Sequence, residues 1–269
     1  MEIYGSELFK GAAPYYSKYR PMYPASLVRY LVNRFLSDGN QQLLDLGCGT
    51  GQLTLRFADW CSQIVGIDVE GEMIQEAERL HRMMRIGDIH WFNGSLPEYK
   101  NTYSCHEKFG LVTIAKAFHW MDRQQVLEDL YDMVSIGGSV AIIDNYDPDK
   151  QETVWQTELN KVIKEWYGEE RRAGKTVYKH PVVSHEQMLT NSRFDLDIVE
   201  LPEYEVHWTI ESIIGNLYST SYGSRRFLGD RAEAFEHAVN ETLLAVDSSG
   251  VYPEKMNLTI KLGLKNADN

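Results

Sequence analysis

The sequence predicts an α/β protein in which a parallel sheet is covered by helices on both faces, and two observations predict it. Short apolar runs that read as buried strands alternate with stretches of helical periodicity. The first of those runs stops at a cluster of glycines, Gly47, Gly49 and Gly51, and gives way to apolar residues at helical intervals. At 269 residues one domain with elaborations is expected, spanning 1–269, because a single core is still growing near this length.

The elements follow in order. From Pro24, Leu27, Val28, Leu31, Val32, Phe35 and Leu36 lay one apolar stripe along a helix, which Ser37-Asp38-Gly39-Asn40 ends. Leu43–Leu46 is the first strand, and Leu53, Phe57 and Trp60 predict the next helix. Ile64–Ile67 is the second strand, ending at Asp68, with Met73, Ala77, Leu80 and Met84 on the inner face of the helix after it. The alternation continues through Ile89–Phe92 and Leu111–Ala115, a helix carrying Val126, Leu127, Leu130 and Val134, a Gly137-Gly138 turn and the strand Ser139–Ile143. Beyond Asn145 the texture changes. Residues 146–192 are rich in charge, Trp and Tyr, with one helix (Val154, Leu159, Val162, Trp166) and a basic stretch around Arg171, Arg172 and Lys175. They read as an insertion over the ligand edge of the sheet or as an irregular solvent-facing excursion, with Trp155, Trp166 and Tyr167 as a small core of their own. Leu196–Trp208 then alternates as one long strand, Ile210–Tyr218 and Asp230–Val246 as helices, and Met256–Leu264 as the last strand.

Composition excludes several classes. The net charge is −12, from 27 Lys+Arg against 39 Asp+Glu, and no basic block offers a stripe for phosphate backbones, so no nucleic-acid partner is expected. Three cysteines, Cys48, Cys61 and Cys105, lack CxxC spacing, which argues against a disulfide framework or a zinc site and for a reducing compartment. No run approaches 18 apolar residues and the first residues lack a signal-peptide core, so the expectation is a cytoplasmic protein without a membrane partner. The histidines show no metal-ligand spacing, and no metal is expected.

The segment LLDLGCGTGQL, Leu43 to Leu53, carries the strongest signal. Its glycines allow a tight turn and close approach of the backbone to a ligand between strand and helix, which implies a nucleotide-like ligand. A dinucleotide fingerprint needs its third glycine at position 52, which is Gln52, so pyrophosphate is disfavoured. Asp68, at the tip of the second strand, sits where a carboxylate accepts from two ribose hydroxyls. Asp45 is a carboxylate in an apolar run, a costly burial that a cationic ligand group would offset.

These residues resemble class I S-adenosylmethionine-dependent methyltransferases, whose first motif is similar to Asp45–Gly51 and whose acidic residue after the second strand is similar to Asp68. More narrowly, YSKYRPMYP (Tyr16–Pro24), AFHWMD (Ala117–Asp122) and WTIESIIGNLYSTSY (Trp208–Tyr222) resemble the small-molecule branch that includes trans-aconitate and cantharidin methyltransferases. The resemblance implies a Rossmann-like sheet of seven strands, mostly parallel with an antiparallel last strand, and a helical insertion capping the active site. It implies S-adenosyl-L-methionine as cofactor and a small-molecule methyl acceptor. Gly47, Gly49 and Gly51 would line the methionine and ribose side, Asp45 would help hold the amino group, Asp68 the ribose hydroxyls and Arg20 the carboxylate. Val69 and Met73 would pack on adenine, Ser95 and Leu96 would meet its edge, and the Ala115 backbone would face the methionine. At Ser95 the family often has an acidic residue, so that contact is weaker here.

Tyr16, Tyr19, Arg20 and Tyr23, beside Pro21 and Pro24, make 1–24 either a clamp on the core or a lid over the cofactor, and both can hold. His119, at the carboxyl edge after the fourth strand, is expected to line the substrate pocket, as a general base near neutral pKa for a hydroxyl or amine acceptor, or as an orienting group for a carboxylate. Arg225 and Arg226 read as a solvated pair rather than a substrate clamp. An NAD-dependent oxidoreductase, which shares the doubly wound sheet, and a cofactor-binding but inactive regulatory protein are the competing readings. Oligomeric state is not legible.

Overall fold

The computed structural model describes residues 8–103, 108–147, 149–174, 176–178 and 180–267. Of the sequence features above, residues 1–7, Cys105 and Lys175 lie outside the described residues. The chain opens with α1 (Ala13–Tyr19) and α2 (Ala25–Leu31), the latter extended by a wider turn through Leu36, as the apolar stripe requires. The α/β core follows as β1 (Gln42–Leu46), β2 (Gln63–Asp68), α3 (Gly71–Met84), β3 (Ile89–Asn93), α4 (Leu96–Tyr103), β4 (Phe109–Ala115), α5 (Arg123–Met133) and β5 (Val134–Asp144). After it come α6 (Val154–Tyr167), the short pair β6 (Arg172–Ala173) and β7 (Thr176–Val177), α7 (His185–Thr190), β8 (Asp195–Glu200), β9 (Tyr204–Thr209), α8 (Ile210–Tyr218), α9 (Ala232–Val246), β10 (Val251–Met256) and β11 (Thr259–Leu264).

Seven strands form one sheet in the order β3-β2-β1-β4-β5-β11-β8. The first five pair in parallel, and the last strand, β11, runs antiparallel to both of its neighbours. Order reverses between β1 and β4, so the carboxyl ends of β1, β2 and β4 border the crevice where open α/β sheets take ligands. Leu43, Leu44 and Leu46 of β1 and Leu111, Val112 and Ile114 of β4 are buried on both faces, which is what a helix-covered parallel sheet demands.

Four local readings are corrected. The helix expected at Leu53–Trp60 is one tight turn, Thr54–Phe57; Leu53, Leu55, Phe57 and Ala58 are all buried, so no single face is apolar, and Trp60 is 46% exposed. The long strand expected over Leu196–Trp208 is two, broken at Leu201-Pro202-Glu203, where proline withholds an N–H from the ladder. The last strand is likewise divided at Asn257-Leu258. The Gly137-Gly138 turn lies inside β5 as a kink, with Gly137 at φ +82°.

The two strand breaks have one consequence. β8 and β11 stay in the main sheet while β9 and β10 leave it as an antiparallel pair, carrying α8 and α9 with them. Trp155, Leu159 and Val162 of α6 pack with Trp208, Ile213, Leu217, Phe235, Val239 and Tyr252 in a separate apolar cluster. The cap is therefore assembled from two stretches of chain, and 146–192 supplies α6 to its apolar cluster. α7, in the same stretch, packs instead on β8 and β11, with Leu189 in the main core. α1 lies between α3 and α8, with the Tyr19 ring seated on Gly215, where a Cβ would fall 2.1 Å from it.

Candidate functional site

The turn after β1 is held open by glycine. Gly47, Gly49 and Gly51 have φ of +75°, +55° and +75°, which L side chains rarely adopt. Gly47 faces Ala117, and a Cβ there would lie 2.5 Å from the Ala117 Cβ. The N–H groups of Gly47 and Cys48 both donate to the Ile67 carbonyl, at 2.8 and 3.0 Å, which ties the turn to the tip of β2. The Gly49 N–H donates to Asp68 Oδ2 at 2.8 Å and the Glu70 N–H to Oδ1 at 2.9 Å. Burial raises the Asp68 carboxyl above its ordinary range, while these N–H groups oppose the shift. Its oxygens retain lone pairs for hydroxyl donors.

These tips enclose a first cavity of about 250 Å³ whose walls include Gly47, Gly49, Asp68, Val69, Met73, Ser95, Leu96 and Ala115. Of the twelve site residues expected from sequence, these eight come together on one wall and four do not. Gly51 does not line it; a Cβ there would meet the Trp91 ring at 2.6 Å, so its role is the turn and the packing behind it. Asp45 does not line it either. Thr113 Oγ1 donates to Asp45 Oδ1 at 2.8 Å and Thr54 Oγ1 to Oδ2, so two threonines, not a cationic ligand, satisfy the buried carboxylate. Burial still pushes its pKa up to about 6 against those two bonds. Arg20 borders a different cavity, its guanidinium over the Tyr16 ring at 5.0 Å.

His119 is the fourth, and it lines neither cavity. Its ring packs on Trp120 (4.6 Å between centroids) and against Tyr178 (5.9 Å), and burial, with His185 and His180 nearby, drops its pKa to about 4. A base near neutrality is not what this environment produces. Trp120, its neighbour, does line the first cavity, as do Met121 and Asp122. Ser95 Oγ donates to Glu98 Oε2 at 2.6 Å, which leaves the hydroxyl oxygen only as an acceptor.

The roof comes from the N-terminal segment: Leu8, Phe9 and Tyr16 line the cavity from above. Carboxylates on and just before α3 anchor it. Glu70 accepts from the Phe9 N–H at 3.2 Å, Glu72 from the Gly11 N–H at 2.6 Å and Glu76 from Ser17 Oγ at 2.7 Å. Phe9 meets Trp120 edge-on at 6.1 Å across the mouth. Gln52, at the position where a dinucleotide site needs glycine, donates to the Arg20 carbonyl at 3.0 Å and so holds the same segment. The same contacts hold the segment to the core and place it over the cavity.

A second cavity, of about 490 Å³, lies between the sheet tips and the cap, walled by Arg20, Lys116, Trp155, Leu159, Ile163, Ile213, Asn216, Leu217 and Tyr222 among others. Arg20 Nε, Trp155 Nε1 and Asn216 Oδ1 are buried there without a hydrogen-bond partner. Sequence reasoning missed Lys116, which lines both cavities and holds φ +54° at the tip of β4. Its signal was a charged residue following an apolar strand at a ligand edge. Among the described residues no group of three His, Cys, Asp or Glu side chains is placed to hold a metal, and no helix is long and apolar enough to cross a membrane.

Residues 43–138 match the family model described as a methyltransferase domain. An uncharacterized methyltransferase-like protein of Schizosaccharomyces pombe is 26% identical over 157 residues, 58% of this chain and 57% of that one. A probable S-adenosylmethionine-dependent methyltransferase of Saccharomyces cerevisiae is 27% identical over 128 residues, 47% of this chain and 43% of that one. The matched stretches thus span about half the length of these curated relatives. A solved structure of a proposed type II methyltransferase from Anaeromyxobacter dehalogenans shares the fold with a TM-score of 0.57 at 20% identity, covering 91% of this chain and 95% of its own. The Rossmann-like methyltransferase sheet is that shared fold.

Proposed function

We propose that this protein is an S-adenosylmethionine-dependent methyltransferase acting on a small-molecule acceptor, with the cofactor in the first cavity and the acceptor in the second. The observation that carries the reading is the pairing of Gly49 with Asp68. The turn brings backbone N–H groups and a carboxylate to one wall of a largely apolar cavity without pyrophosphate-binding spacing. The residues fit the group. Asp68 takes the ribose hydroxyls, Val69, Met73 and Leu96 pack on the adenine, and Gly47 with the Ala115 backbone leaves room for the methionine. Arg20 lines the second cavity, not the first, with an unpartnered Nε and its guanidinium over the ring of Tyr16, which lines the first; pairing with the methionine carboxylate is the role the resemblance implies for it.

When bound, S-adenosylmethionine supplies a methyl group already activated as a sulfonium. What remains for this chain is to align an acceptor and exclude water, and orientation alone contributes roughly 7–11 kcal/mol. The N-terminal roof excludes water from the first cavity, and Trp155, Leu159, Ile213 and Leu217 present an apolar wall to the acceptor in the second. Support for the trans-aconitate and cantharidin branch comes from its three resembling segments, each of which contributes residues to these cavities: Tyr16 and Arg20 from the first, Ala117, Trp120, Met121 and Asp122 from the second, and Trp208, Ile213, Leu217 and Tyr222 from the third. A cytoplasmic setting is supported by the free thiols of Cys48 and Cys61. Calorimetric titration of the purified chain with S-adenosylhomocysteine and with NAD tests the reading. Binding of the first, lost in Asp68→Ala, is the expected result; binding of NAD alone rejects it.

A further inference from the structure

Lys116 stands apart from the other residues of the site. Among the described residues it alone lines both cavities, so a methyl group passing from the first to the second passes Lys116. It is fixed by its backbone: the residue turns into the left-handed region at φ +54°, and its N–H donates to the Ile143 carbonyl at 2.8 Å. Its Nζ lies over the Tyr23 ring at 5.8 Å.

The charges around it come from four elements. Arg20, after α1, and Lys150, before α6, repel its ammonium; Asp144 at the end of β5 and Glu254 on β10 attract it. Neither carboxylate is free. Asp144 pairs with Lys261 at 2.8 Å, and Glu254 accepts from Lys150 at 2.6 Å, from Gln156 at 2.9 Å and from Trp208 at 2.7 Å. Buried, beside a guanidinium and with its nearest acids engaged elsewhere, the amine gives up its proton easily, and its pKa falls to about 8.

We propose that Lys116 is a further catalytic residue at the junction of the cavities, where the amine form of Nζ accepts the proton of a hydroxyl or amine nucleophile on the acceptor. One proton leaves the nucleophile for Nζ, and the nucleophile keeps the electron pair. The inference rests on the cofactor reading above. It selects an acceptor whose nucleophile carries a proton, in preference to a carboxylate, which has none to give. It also has a consequence that needs no acceptor. The sulfonium of S-adenosylmethionine brings a positive charge to this junction and S-adenosylhomocysteine does not, so only the former shifts the Lys116 ammonium toward the amine.

The test is calorimetry of the full chain with each nucleoside at pH 7, in buffers of different ionisation enthalpy, to count protons released on binding. S-adenosylmethionine is expected to release on the order of 0.5 proton more than S-adenosylhomocysteine, and Lys116→Met to abolish the difference while both still bind. Equal release by the two in the native chain, or a difference that survives in Lys116→Met, overturns the proposal. If neither nucleoside binds the native chain, the cofactor reading itself has failed, and the assignment of Lys116 falls with it.

Discussion

The Gly49 N–H donates to Asp68 Oδ2 at 2.8 Å, joining the glycine turn after β1 to the carboxylate that ends β2. Because the bond aims the carboxylate, both halves of the site depend on it. Asp68→Ala removes the proposed acceptor for the ribose hydroxyls and frees the turn. With each charged hydrogen bond contributing roughly 1.5–3 kcal/mol, affinity for S-adenosylhomocysteine should fall on the order of 100-fold or more. Titration calorimetry reads this directly. A loss below threefold would remove Asp68 from the cofactor site.

Gly47→Ala tests the approach of the turn to the segment after β4. A methyl there would lie 2.5 Å from the Ala117 Cβ, on a backbone at φ +75°. The left-handed conformation costs roughly 1–2 kcal/mol for a residue with a Cβ, and the overpacking about 1–3 kcal/mol more. Thermal unfolding should shift down by several degrees, and nucleoside affinity should drop with it. Gly39→Ala is the control: it has φ +69° but nothing within 4 Å of the added methyl, so it should show the backbone cost alone.

How much of this was legible follows from what each signal measures. Strand and helix periodicity records which face is buried against a neighbouring layer, and it located β1, β2, β4 and the later half of β5 because they are buried on both faces, and β3 at the edge by its short apolar run. It did not show that β8 and β9 part company at Pro202, since alternation continues across the break, and only pairing reveals that β9 belongs with β10. The glycine turn and Asp68 were readable because few other residues meet their backbone and charge requirements. Asp45 was identified as an expensive carboxylate, but its partners, Thr54 and Thr113, are nine and 68 residues away, and the spacing to Thr113 carries no local pattern. Lys116 escaped because a lone charge after a strand has no periodicity at all.

His119 provides a pH test. Its pKa is lowered to about 4 by burial, with His185 and His180 contributing, whereas an exposed histidine titrates near 6.5. The unfolded chain therefore binds the proton more tightly, so stability rises between about pH 4 and 6.5 and is level above that window. In NMR titration the His119 ring should stay neutral from pH 5.5 to 8, as about 4 requires. His119→Gln should flatten part of the acid limb of stability without moving nucleoside affinity. A ring that titrates near 6.5 would restore the near-neutral base expected from the sequence.

Asp45 makes the opposite prediction in sign. Its folded pKa is raised from 3.8 to about 6, so between those values the folded chain holds the extra proton and stability falls as pH rises. Above pH 6 the full penalty remains, about 3 kcal/mol for a shift of this size in a fully buried group. Asp45→Asn keeps the shape and removes the charge, and one threonine hydroxyl can turn from donor to acceptor to meet the new amide. The variant should be more stable than the native chain by about 2–3 kcal/mol at pH 7, with the gain shrinking toward pH 4. Nucleoside affinity should remain within a few-fold, because the carboxylate is spent on Thr54 and Thr113 and does not line the first cavity. A gain independent of pH would mean that Asp45 titrates at the same pH in the folded and unfolded chain, so that burial does not raise its pKa. A tenfold loss of S-adenosylmethionine affinity, with stability unchanged, would return Asp45 to the amino group of the cofactor, where the sequence pattern had put it.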